Sequence, residues 1–155
     1  MLELLVVIAV LGILAVAIIT ALNPVKKTNQ AKDSNVKSDI NQIANALQAY
    51  LTSKNPPRYP AILADLAPDE IKTVPKQQAG VALCASLNPV DNQGAGAMYC
   101  YGTDVAQKAV VWGFLFDVAV NPSTTYYCWD SATGVFKTSA AGAAQPTAGG
   151  DYKCI

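Results

Sequence analysis

Leu4–Leu22, LLVVIAVLGILAVAIITAL, is an unbroken run of uncharged and almost wholly apolar residues, and a single carboxylate, Glu3, stands directly in front of it. At 1.5 Å rise per residue the run makes a helix of roughly 28 Å, close to the hydrocarbon thickness of a bilayer. The segment is therefore expected to span a membrane. Within it Gly12, Ala15, Ala17 and Ala21 are small enough to let a second helix approach closely. A carboxylate is costly in lipid, about 3 kcal/mol at a helix centre on insertion scales, so Glu3 calls for an explanation. One reading is an interfacial glutamate reaching up to water. The other is a carboxylate that attracts a buried cation, most simply a chain-terminal ammonium, and so sets the register between packed helices.

Working outward, Val36, Ile40, Ile43, Leu47 and Tyr50 recur at intervals of 4, 3, 4 and 3. Lys37, Asp39, Asn41, Gln42 and Asn45 fall on the other faces, which is the pattern of an amphipathic helix. It should end near Lys54, because Asn55-Pro56-Pro57 cannot continue it. Pro24 and Gly12 interrupt the pattern, and a stem over residues 1–54 that is helical throughout, or locally loosened there, is expected, with a simple break between two helices at Pro24 as the alternative; residues 1–22 are its apolar part. Residues 55–80, with Pro56, Pro57, Pro60, Pro68 and Pro75, read as an irregular connection holding one helical turn near Ala61 to Leu66.

After Gly80 the composition shifts to β-branched and aromatic residues. Val81 to Ser86, Met98 to Thr103, Ala109 to Val118 and Tyr126 to Asp130 read as strands, and a short fifth at Val135 to Lys137 can pair with Tyr126 to Asp130 across Ser131 to Gly134. Thr138 to Gly150, mostly Ala, Gly, Ser and Thr, reads as a surface loop. The fold expected is α+β: a long N-terminal helix packed on a small antiparallel sheet, with residues 55–155 forming one head. The aromatic cluster Tyr99, Tyr101, Trp112, Phe114, Phe116, Tyr126, Tyr127 and Trp129 is expected to be core on one face of that sheet.

Cys84, Cys100, Cys128 and Cys154 all lie in the head. Their spacings of 16, 28 and 26 lack the close pairs of a zinc site and the chain has no histidine, so two disulfides formed outside the cytosol are expected. Four cysteines allow three pairings and the sequence does not choose among them. Cys84 with Cys100 and Cys128 with Cys154 is the expected set, because each pair closes a short loop between neighbouring segments.

The 155-residue chain has zero formal charge, unevenly placed. Residues 23–54 carry five lysines against two aspartates, and residues 55–155 six basic against eight acidic groups. Neither balance is that of a dedicated nucleic-acid binder. No nucleophile elbow, phosphate-binding glycine loop or metal-ligand cluster accompanies the missing histidine, so no catalytic residue and no cofactor is assigned. Asp117, Asp130 and Asp151 could meet around Ca²⁺, though scattered surface carboxylates account for them as well.

Met1-Leu2-Glu3-Leu4-Leu5-Val6-Val7-Ile8-Ala9-Val10-Leu11-Gly12-Ile13-Leu14-Ala15 resembles the N-terminal segment of type IV pilins and the related type II secretion pseudopilins. The order of long helix, connecting segment, antiparallel sheet and C-terminal loop closed by Cys128 and Cys154 is similar to that family's architecture. The resemblance implies a subunit held in the bacterial cytoplasmic membrane, then polymerised into an extracellular filament. Glu3, Gly12 and Pro24 would be its assembly residues, with Glu3 neutralising the N-terminal amine of an adjacent subunit. It implies prepilin peptidase and pilus assembly machinery as partners, a methylated terminal amine, and no cofactor. Service in adhesion, twitching motility or DNA uptake is not specified by this chain.

Mature members of the family begin Phe-Thr, then two apolar residues, then the glutamate, so residues including a basic leader are expected upstream of Met1. A leader would also resolve an orientation conflict, since Lys26 and Lys27 by themselves favour the cytoplasmic side while disulfides favour the other. The family's helix proline falls near Thr20, four residues before Pro24, which shifts any loosened stretch toward the head. A major pseudopilin of type II secretion, with a calcium-stabilised head, and a monomeric bitopic protein with an extracellular ligand-binding head are the alternatives.

Overall fold

The computed structural model describes residues 2–21, 23–76, 99–104, 108–116, 125–139, 143, 146 and 154. Two helices, α1 (Leu2–Ala21) and α2 (Pro24–Ser53), precede a 3-10 turn at Leu63–Leu66 and four strands, β1 (Cys100–Thr103), β2 (Ala109–Phe114), β3 (Tyr126–Asp130) and β4 (Phe136–Thr138). The strands form one antiparallel sheet in sequence order. This is the α+β arrangement of a helix packed on an antiparallel sheet.

The stem is not one helix. Asn23 takes a left-handed conformation, φ 42° and ψ 73°, and its Oδ1 accepts a hydrogen bond from the Lys26 backbone N–H at 3.4 Å. The expectation of a helix running through Pro24 is corrected by local sterics. The proline ring bars the preceding residue from the right-handed helical region, asparagine tolerates the left-handed one, and proline suits the first helical position because its missing N–H would have had no partner there. Pro24 thus starts α2 rather than kinking a longer helix.

α2 buries Val36, Ile40, Ile43, Ala44, Ala46 and Leu47, the stripe legible in its 3–4 spacing. It ends at Ser53, where Lys54 turns to extended backbone ahead of Asn55-Pro56-Pro57. These side chains pack on Tyr101, Val111 and Trp129 from the sheet and on Tyr59, Leu63 and Leu66 from the connection. The Tyr101 hydroxyl donates to the Pro60 carbonyl at 2.8 Å, fixing the connection against the sheet.

The register explains a second core. Cys100 pairs with Trp112, and Trp112 with Cys128, so these three share the face opposite α2. They are buried there with Val110, Phe114, Tyr126 and Cys154, and Ala143 packs against them. The aromatic residues therefore fill both faces of the sheet rather than one, because the C-terminal segment covers what α2 does not. Phe116 and Tyr127 are only partly buried at the edge of the α2 side.

The strands expected at 98–103, 109–118 and 126–130 are found as β1, β2 and β3, and the short one at 135–137 as β4, one residue later. The helical turn expected at 61–66 is the 3-10 turn. The strand expected at 81–86 lies outside the described residues, as does most of the loop 138–150.

Candidate functional site

Every side chain of α1 from Leu2 to Ile18 is exposed. Exposure of its large apolar residues runs from 51% at Val10 to 81% at Leu2, with no polar face among them. A helix that packs on one neighbour shows an apolar stripe, whereas one apolar all round is suited to surroundings apolar on every side. Leaving a dozen such side chains in water is unfavourable by on the order of 20 kcal/mol, more than a typical domain's whole stability. This surface requires a cover, of lipid or of other helices.

Glu3 sits in the first turn of α1. Its negative charge complements the positive end of the helix dipole, which makes the position locally favourable even without an ionic partner. A Cβ added at Gly12 would meet nothing within 4 Å, so the glycine leaves a flat, open spot on the helix for a close approach. Among the described residues no helix is long and apolar enough to cross a membrane; the side chains of α1 are described for residues 2–18, whereas the apolar run in the sequence continues to Leu22. Glu3 and Gly12 lie together on α1, while Pro24 belongs to the next helix and separates the apolar segment from the head.

Cys128 and Cys154 form a disulfide, with their Cα atoms 5.8 Å apart. Cys100 is also disulfide-bonded; Cys84, its expected partner, lies outside the described residues. Asp130, one of the three aspartates considered for calcium, is fully buried and uses both carboxylate oxygens on neighbours. Oδ1 accepts from the Thr133 backbone N–H at 2.7 Å and its hydroxyl at 2.9 Å, and Oδ2 accepts from the Cys154 backbone N–H at 3.3 Å. Asp117 and Asp151 lie outside the described residues.

Two aspartates of α2 fasten the helix to the sheet, and sequence reading missed both. Asp39 Oδ2 accepts from the Tyr99 hydroxyl at 2.6 Å, and Asp33 Oδ1 accepts from the Phe116 backbone N–H. Burial first, then the hydrogen bond to Asp39 and its negative charge, push the Tyr99 hydroxyl far above its ordinary value. Lys32 and Lys37 of α2 lie over the rings of Phe116 and Tyr127, 4.9 and 5.8 Å from the centroids. The signal available in the sequence was a carboxylate beside the apolar stripe of α2, at 33 next to 36 and at 39 next to 40 and 43.

Compared with known protein families, curated protein sequences and solved structures, the chain has no match. The site is therefore defined by its own chemistry: an all-apolar helix with one acid at its start, joined through a sharp break to a disulfide-bonded head.

Proposed function

We propose that this chain is a structural subunit of a type IV pilus, held in the cytoplasmic membrane by its first 22 residues and then polymerised through them into an extracellular filament. The observation that carries the reading is α1, apolar and exposed on every side from Leu2 to Ile18 with a single carboxylate, Glu3, in its first turn. Such a helix is satisfied by lipid, and equally by a bundle of identical helices, because both present an apolar contact in every direction. Glu3 supplies what apolar packing lacks, a preference for one axial register. A carboxylate in low dielectric gains strongly from one cation, the neighbouring subunit's terminal ammonium, and loses if left alone.

The disulfide between Cys128 and Cys154 supports a head that matures outside the cytosol. In this reading the head forms the filament's outer shell, and the partners are copies of the same chain, prepilin peptidase and the assembly machinery. The test is Glu3→Ala in cells expressing the full-length protein, scored by electron microscopy of sheared surface material and by membrane fractionation. The variant is expected to remain membrane-inserted at normal levels while filaments fall to a few per cent of the parent or less. Normal filament yield would refute the docking role. A parent that yields no filaments under assembly-competent conditions would favour a monomeric membrane protein with a ligand-binding head.

A further inference from the structure

We infer that Asp130 is the positioning residue for the Cys128–Cys154 disulfide: its buried carboxylate holds the Cys154 backbone over β3 independently of the covalent bond. Cys128 and Asp130 are two residues apart on β3, so their side chains leave the strand on the same face, the one covered by the C-terminal segment. Cys128 and Asp130 are both fully buried and Cys154 is 5% exposed, so all three lie out of water. The carboxylate is itself aimed from the other side. Thr133, in the turn between β3 and β4, donates its backbone N–H and its hydroxyl to Oδ1, which leaves Oδ2 facing the Cys154 N–H at 3.3 Å. A buried carboxylate persists only when its oxygens are satisfied, so the sheet with its turn in place presents an acceptor that residue 154 is needed to complete.

That acceptor places the two thiols together before they react. Oxidation by a glutathione-type disulfide proceeds by attack of one cysteine thiolate on the oxidant, which releases one glutathione thiolate and leaves a mixed disulfide. The second cysteine thiolate then attacks the protein-bound sulfur and expels the second glutathione. Two electrons pass to the oxidant, and the two thiol protons end on the two released glutathiones. The second attack depends on how often the sulfurs meet, and a docked Cys154 backbone raises that frequency. After reduction the same hydrogen bond keeps the segment seated on β3, so the pair re-forms without a search.

The test is the thiol–disulfide equilibrium of the full-length protein in detergent against a graded ratio of reduced to oxidised glutathione, quenched by alkylation and read peptide by peptide at Cys128 and Cys154. Asp130→Asn keeps the shape, yet its amide has one acceptor oxygen, so whichever way it is turned either Thr133 or Cys154 faces an N–H₂ group. The effective concentration of the pair is expected to fall roughly ten- to a hundredfold, the loss typical of one hydrogen bond to a charged group. Asp39→Asn, which weakens the link between α2 and Tyr99, serves as the control for lost stability alone and is expected to leave the value unchanged. An unchanged value in Asp130→Asn, or an equal fall in Asp39→Asn, overturns the assignment. A second measurement needs no variant. In the parent protein under mild reduction, hydrogen exchange at the Cys154 amide is expected to stay slow, and exchange at the free-chain rate overturns it equally.

Discussion

Gly113→Ala provides the sharpest test of how α2 is locked to the sheet, because the generic expectation has the opposite sign. Gly113 is an interior residue of β2, and its backbone lies in a region alanine also adopts. By the unfolded-state argument alone, alanine would stabilise the protein by about 0.4–1 kcal/mol. The surroundings forbid it. A Cβ there would lie 2.6 Å from both Cδ1 and Cε1 of Tyr99 and 3.1 Å from Cγ1 of the fully buried Val36. The ring cannot swing aside freely, since its hydroxyl is tied to Asp39 at 2.6 Å. Overpacking costs about 1–3 kcal/mol, and loss of a hydrogen bond to a carboxylate about 1.5–3 kcal/mol, so a destabilisation of about 3–5 kcal/mol is expected. Urea unfolding of the purified chain in detergent, followed by fluorescence of the buried Trp112 and Trp129, measures it. The same substitution in a Tyr99→Ala background isolates the cause, and there the cost should drop below about 1 kcal/mol. A cost near zero in the parent, or an equal cost in both backgrounds, would refute the steric argument.

Tyr99→Phe should cost about 1.5–3 kcal/mol near neutral pH, because Asp39 loses its hydroxyl donor. The Tyr99 hydroxyl is raised from an ordinary value of 10.0, so its contribution is fully present below pH 10 and is lost as pH rises toward the folded value. Urea midpoints of Tyr99→Phe should therefore fall less steeply than the parent's between pH 10 and about pH 12. Tyr126 and Tyr127, also raised by burial, add an alkaline slope common to both proteins. At the break between the helices, Asn23→Gly should be tolerated within a few tenths of a kcal/mol, whereas Asn23→Val should cost about 1–2 kcal/mol, because a β-branched residue resists the left-handed φ of 42°. Thermal melting in detergent, followed by helical circular dichroism, separates the two variants.

Legibility in the sequence tracks how local each cause is. The stripe 36, 40, 43 and 47 of α2 and its stop before Asn55-Pro56-Pro57 arise within a few residues, and both were readable. The break at Asn23 was also local, but the apolar and amphipathic patterns on either side suggested continuity, and the constraint that proline places on its predecessor won. The double-sided sheet was hidden for a different reason. In β2 the run Ala-Val-Val-Trp-Gly-Phe does not alternate between apolar and polar, the mark of a strand buried on both faces, and only the return of the C-terminal segment says what covers the second one. The polar fastenings at Asp33, Asp39 and Asp130 span sequence separations of 83, 60 and 24 residues, so a carboxylate beside the α2 stripe could hint at the first two but no local pattern names their partners. Of the site itself, Glu3 and the apolar run were fully visible, since their chemistry lies in a single contiguous segment.

That division bears on how the two halves of the molecule work together. Both cores of the head are closed by elements that follow Asn23: α2 and the connection on one face of the sheet, the segment carrying Ala143 and Cys154 on the other. No described residue of α1 belongs to either core. Among the described side chains, the head therefore owes none of its internal packing to residues 2–18 of α1, so this stretch can exchange one apolar environment for another without repacking the head. The filament reading proposed above requires that independence, because any core shared between helix and head would have to be broken when the subunit left lipid for a bundle of its own copies. On this argument the loss of filaments in Glu3→Ala should come with an unchanged urea midpoint for the head. A variant that lost both together would point instead to a helix that holds the head in shape.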